Sequence, residues 1–210
     1  MPDQGAEGLS ASRRRFLAAA PLAAGAAFLA ACGSSSDPQT AEDKSSKASA
    51  PKGGQDLTIV NYALTLEHVE ADFYDKVVEA GLFSGATGDL FKTIQQDEHE
   101  HVDALTALVR KLGGKPAEAP VTRFPIGGSG GGAIDIAATL ENTGAAAYLG
   151  QVTSIANREV LAAVLSIHSV EGRHAAKLNR LAGRNPFPDG AFASPLDMEE
   201  VNNAIERFLV

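Results

Sequence analysis

The chain has 210 residues, a formal net charge of −8, one cysteine and no tryptophan. The acidic balance argues against nucleic acid as a partner, and the lone Cys32 excludes both an internal disulfide framework and a thiolate metal cluster built by this chain alone. Aromatic residues are few, so the core falls to Ala, Leu, Val and Ile, which suits helices better than sheets.

In chain order, the first segment reads as an address. Residues 12–17, Ser-Arg-Arg-Arg-Phe-Leu, resemble a twin-arginine export motif with Arg13 and Arg14 as the pair. The apolar run from Leu17 to Ala31 is broken by Pro21 and Gly25. It is too short and too alanine-rich for a membrane span. It ends in Leu29-Ala30-Ala31-Cys32-Gly33, which is similar to a bacterial lipobox. The resemblance implies cleavage before Cys32, acylation of Cys32, and a lipid anchor in the outer face of a bacterial membrane. An ordinary signal peptide with a stray cysteine is the plainer alternative. Several acyl chains anchor firmly where one is marginal. Residues 33–55 are rich in Ser, Lys, Ala, Gly and Pro and cannot bury apolar surface, so they read as a tether. The expected organisation is a signal peptide over 1–31, a flexible tether over 32–55 and a folded domain over 56–210.

Four long helices are predicted in that domain. The first runs from Leu57 to Ala80, with Asp56 as N-cap, Gly81 as stop, and Val60, Ala63, Leu64, Ala71, Tyr74, Val77 and Val78 facing inward. The second runs from Gly88 to Leu112, with Phe91, Ile94, Val102, Leu105, Leu108 and Val109 inward. Residues 113–132 hold Pro116, Pro120, Pro125 and a Gly-Gly-Ser-Gly-Gly run, a long connection rather than a tight turn. The third helix is expected from Ala133 to Val152, with Ile134, Ala137, Leu140, Ala145, Tyr148 and Val152 inward. The fourth is expected from Asn157 to Ala182, with Val160, Val164, Ile167, Leu178 and Leu181 inward. A short last helix is expected over Leu196–Leu209, opened by Ser194-Pro195, with Met198, Val201, Ile205 and Phe208 as its stripe.

Carboxylates interrupt these stripes. Glu67 and Glu70 lie in the first, Glu98 and His101 in the second, Glu141 in the third, Glu171 and His174 in the fourth. Positions three apart share a helix face, so Glu98-x-x-His101 and Glu171-x-x-His174 each present an acid and an imidazole together. The halves also repeat. Thr65-Leu66-Glu67 matches Thr139-Leu140-Glu141 at an offset of 74 residues, and the two Glu-x-x-His pairs match at an offset of 73. The economical reading is an all-α four-helix bundle of two hairpins joined by a long crossover.

An unpaired buried carboxylate costs several kcal/mol, and four together repel one another. A marginally stable domain does not carry that without compensating positive charge. Glu67, Glu98, His101, Glu141, Glu171 and His174 suit two divalent ions, whose charge balances four carboxylates. Oxygen-rich ligation with one imidazole per ion favours Fe, with Mn next and Zn left open.

One Glu on each of two helices, with Glu-x-x-His on each of the other two, resembles the ferritin-like superfamily of di-iron and di-manganese carboxylate bundles, over residues 56–183. Within it, the chain is similar to exported bacterial ferritin-like domain proteins. The resemblance implies that Glu98 and Glu171 bridge, that Glu67 and Glu141 are terminal ligands, and that His101 and His174 are the imidazole ligands. It also implies that Tyr74 and Tyr148, seven residues past the terminal acids, hydrogen-bond ligand carboxylates of the facing helix; each can equally be a core aromatic. Asp97 stands where some relatives hold the opposite imidazole, so an Asp97–His174 contact is expected. Val170 occupies the matching place, so the site should be asymmetric. Gln95 and His168, one turn before the bridging acids, are further supporting candidates. Glu70, whose counterpart is Gly144, is a candidate seventh carboxylate. His68, His99, Glu100 and Asp103 are expected to face solvent.

The function implied is a redox centre, oxidising ferrous iron or reducing peroxide, with O2 or peroxide as small-molecule substrate. The alternative is a protein that binds or handles metal without turnover. A storage cage fits an acylated tether poorly. No Cys-x-x-Cys pair occurs in these residues to supply a rubredoxin-like electron donor.

Overall fold

The structure, a computed structural model, describes residues 52–127 and 130–210. The export motif, the lipobox and most of the tether lie outside the described residues. Five α-helices follow one another: α1 Lys52–Glu79, α2 Gly85–Lys111, α3 Gly130–Gln151, α4 Arg158–Leu181 and α5 Met198–Ile205, with 3-10 turns at Val152–Ser154 and Glu206–Phe208. α1 packs on α2 and α3 on α4, giving two hairpins that build a four-helix bundle, and α5 lies against α3. Among the described residues there is no strand, only an isolated antiparallel bridge between Thr122 and Leu209. No described helix is long and apolar enough to cross a membrane.

The first three helices begin earlier than predicted, and the last two slightly later. α1 starts at Lys52, so Asp56 lies inside it and is not its N-cap. Its buried carboxylate instead accepts from the backbone N–H groups of Ala156 (2.9 Å) and Asn157 (2.9 Å), the entrance to α4. Asn157 then caps α4 itself, accepting from Glu159 N–H at 2.8 Å. α2 begins at Gly85 rather than Gly88, and α3 takes in the three glycines before Ala133. A triple glycine is a poor helix start, but a Cβ on Gly130 would sit 2.4 Å from the Phe83 ring, so the close packing of Phe83 requires it. α5 is shorter than expected. Its cap is Asp197, in a reciprocal capping box with Glu200, not Ser194-Pro195. Leu181, expected inward, is exposed at the end of α4.

The long connection after α2 is not free. Arg123 N–H donates to Phe208 O (2.8 Å) and Val210 N–H to Val121 O (3.0 Å), which ties the crossover to the C-terminal segment.

The core is two apolar clusters rather than one. One contains Phe73, Tyr74, Phe91, Phe124, Leu178 and Phe208; the other contains Val60, Leu64, Leu105, Val109, Tyr148, Val160 and Val164. Along α1, α2 and α4 the acids and imidazoles fall between the two clusters. The bundle is therefore a polar layer held between apolar layers that fix the helices on either side.

Candidate metal centre

Six side chains meet in that layer. Glu67, Glu98, Glu141 and Glu171 are 0% exposed, and His101 and His174 each 8%. Both imidazoles turn Nδ1 inward. His101 Nδ1 lies 3.2 Å from Glu67 Oε2, 3.0 Å from Glu98 Oε2 and 3.2 Å from Glu171 Oε1. His174 Nδ1 lies 3.1 Å from Glu98 Oε1 and 3.2 Å from Glu141 Oε2. Two groups of converging donors result: Glu67, Glu98, His101 and Glu171, and Glu98, Glu141, Glu171 and His174. Glu98 and Glu171 belong to both, and Glu98 offers one oxygen to each imidazole.

The outer atoms of the terminal acids are held from across the bundle. Tyr74 donates its hydroxyl to Glu141 Oε1 at 2.5 Å, and Tyr148 donates to Glu67 Oε1. Each terminal carboxylate thus gives one oxygen to a tyrosine and turns the other inward. Asp97 Oδ2 accepts from His174 Nε2–H at 3.1 Å.

The remaining candidates lie elsewhere. Gln95 does not support the centre; its amide donates to Asp75 Oδ1 at 2.7 Å, an acceptor that His99 Nε2 also meets at 2.9 Å. His168 is turned away as well, with Nδ1 3.0 Å from Ala145 O. His99, Glu100 and Asp103 are exposed and His68 is half-buried. Glu70 is buried, yet neither converging group includes it. Its carboxylate lies in the space left by Gly144, where a Cβ would stand 2.8 Å from Glu70 Oε1 and 2.9 Å from Glu171 Oε2. Gly144 is the site residue that the sequence reading did not single out. Its only signal is a missing side chain opposite an acid in the repeat.

Electrostatically the layer is under stress. Burial, then Glu141, pushes the Glu98 carboxyl up to about 8, against the adjoining His101 and His174 imidazoles, which lower it. Burial and the surrounding acids raise Glu70 and Glu171 well above the usual carboxylate range. Burial disfavours charged imidazoles, but the carboxylates outweigh it: Glu171, Glu67 and Glu98 hold His101 high, and Glu141 and Glu98 hold His174 at about 11.

A model of the ferritin-like domain matches residues 55–184. The chain belongs to the ferritin-like family. Two solved structures share the fold. One is a conserved hypothetical protein from Mycobacterium tuberculosis, 21% identical, TM-score 0.57, covering 63% of this chain and 94% of that one. The other is described as ferritin like, diiron-carboxylate proteins from Bacillus anthracis str. Ames, 20% identical, TM-score 0.56, covering 64% of this chain and 99% of that one. No curated protein matches the sequence.

The ferritin-like domain carries a donor set that fits two divalent ions. Glu98 Oε1, Glu141 Oε2, both oxygens of Glu171 and His174 Nδ1 are buried without a hydrogen-bond partner. His174 Nδ1 is close to two of these oxygens, yet the contacts lack hydrogen-bond geometry; the atoms converge without bonding. Bonds of about 2.1 Å at right angles put neighbouring donors about 3.0 Å apart, close to the 3.0–3.2 Å found around His101. Metal ligation is what such a set of atoms satisfies.

Proposed function

We propose that this ferritin-like protein holds a dinuclear metal centre, with iron preferred, on a lipid-anchored domain outside the cytoplasmic membrane, and that the centre is redox-active toward O2 or peroxide. The observation that carries the reading is Glu98, buried between two donor groups with one oxygen toward each imidazole. When bound, two ferrous ions supply two electrons to an oxidant.

The chain's own residues do the rest. Glu98 and Glu171, which belong to both donor groups, would be shared by the two ions, while Glu67 and His101 would complete one position and Glu141 and His174 the other. Tyr74 and Tyr148 fix the rotation of Glu141 and Glu67, so that each keeps one oxygen for the centre. Phe91, Ile94, Val109 and Val164 are buried in the apolar clusters on either side of the layer. A cleft of about 400 Å³, lined by Ile94, Asp97, His101, Val170, Arg173 and His174, reaches the layer between α2 and α4. That opening favours turnover over a sealed, purely structural ion pair.

The test uses the full-length chain in detergent. Elemental analysis should find two metal ions per chain. After anaerobic Fe²⁺ loading, O2 or peroxide should oxidise the iron faster than it oxidises free Fe²⁺. Loading without accelerated oxidation would leave metal binding and remove the redox assignment. The anchor is tested separately: Cys32→Ser should move the protein from the membrane fraction to the soluble one.

A further inference from the structure

The inner residues of the two halves match, but their outer supports do not. His174 commits Nε2–H to Asp97, so Nδ1 is the nitrogen left to ligate and the ring is pinned. The repeat places Val170 where the other half would carry the equivalent acceptor. Val170 has no polar side-chain atom. Among the described residues, His101 Nε2 has no hydrogen-bond partner, and the three contacts of the ring all come from Nδ1, to Glu67, Glu98 and Glu171. The two imidazoles border the same cleft and have the same exposure, 8%. Their solvent access therefore does not separate them; the outer nitrogen does.

We infer that the two metal positions are unequal: the position completed by His174 and Glu141 binds first and more tightly, and the one completed by His101 and Glu67 is the weaker, exchangeable position. This rests on the dinuclear reading above. Asp97 acts as a positioning residue. It selects the ring nitrogen and orientation of His174 before the ion arrives, whereas His101 is held only through Nδ1, the nitrogen it must give up to the ion. Supports of this kind are typically worth tenfold to a hundredfold in metal affinity, enough to split two otherwise matched positions into two resolvable steps.

The experiment titrates the metal-free, full-length chain with Co²⁺ alone, following heat and visible absorption. Two steps are expected, the first about tenfold or more tighter. Asp97→Ala should weaken the first step by about that factor and merge the two. Asp97→Asn, which keeps an acceptor, should recover part of the loss. Val170→Asp should tighten the second step; circular dichroism of each variant confirms that it is folded. Two ions taken up with affinities that ignore Asp97 would overturn the inference and leave the dinuclear centre standing. No uptake by the wild type would overturn the dinuclear reading itself.

Discussion

In the α1–α2 hairpin, Glu70 lies one turn past Glu67 and Asp97 stands beside Glu98; in the α3–α4 hairpin the same two places hold Gly144 and Val170. Every residue that faces the centre, by contrast, is matched: an acid and a tyrosine on one helix, Glu-x-x-His on the next. The difference shows where the constraint lies. Four carboxylates and two imidazoles must close on the same small volume, and changing any one removes a donor or breaks the charge balance. Residues behind them need only fit one another. The first hairpin has become the acidic side and the second the side that makes room.

The largest expected effect comes from the shared acid. Glu98→Ala removes a donor from both groups, so elemental analysis should find neither ion, whereas Glu67→Ala or Glu141→Ala should each lose one. Equal losses from all three variants would deny that Glu98 is common to both positions.

Gly144→Ala attacks the place where the hairpins differ. Its Cβ would press on Glu70 Oε1 and Glu171 Oε2 at 2.8 and 2.9 Å. Displacing a shared donor should weaken metal binding by about tenfold or more, in the range seen for disturbed ligand supports. Glu70→Ala in the same chain empties that space, so the double variant should bind better than Gly144→Ala alone. A double variant no better than the single one would show that Glu70 is not what the glycine accommodates.

The unmatched acid also makes a pH test. Without metal, Glu98 is raised from 4.5 to about 8, and Glu70, Glu171 and both imidazoles are raised too. Each such group binds its proton more tightly folded than unfolded, so stability is present at low pH and is lost as pH rises through the raised values. For Glu98 that window runs from about 4.5 to about 8; for His174 it runs from 6.5 to about 11. The melting temperature of the metal-free chain should fall between pH 5 and pH 8.5. The extra stability conferred by metal should grow over the same range, because loading displaces those protons. Glu70→Ala should flatten the metal-free slope; thermal melts with and without Mn²⁺ read both trends.

The smallest effects test the matched part. Tyr74→Phe and Tyr148→Phe each leave a buried acceptor short of a partner, at about 1–3 kcal/mol. The two should cost alike in denaturant unfolding. A gap larger than that range would mean that the inner layer is less symmetric than its contacts.

Much of the site was legible because helix spacing and the repeat constrain each other. Glu-x-x-His fixes two side chains on one face, and two copies at nearly equal offsets fix which faces meet. The Asp97–His174 contact was expected from the resemblance to relatives that place a carboxylate there, and it is present at 3.1 Å. Gln95 and His168 did not follow, since a residue at the edge of a stripe answers to whatever its neighbour offers, here Asp75 and the Ala145 carbonyl. Asp56 was read as a local cap because sequence shows only neighbours. Its partners, Ala156 and Asn157, lie about a hundred residues on. Gly144 left only the gap opposite Glu70 in the repeat, because its role is to be empty.

The donor groups have one more consequence. The first draws Glu67, Glu98 and His101 from one hairpin and Glu171 from the other; the second draws Glu141, Glu171 and His174 from one and Glu98 from the other. Neither hairpin closes a position by itself. Two separate hairpins would have to find each other first, and their grip on metal would fade on dilution. The connection between Leu112 and Gly130 replaces that encounter with a fixed effective concentration. It makes affinity for the ion a property of one molecule, the same for a sparse protein as for an abundant one.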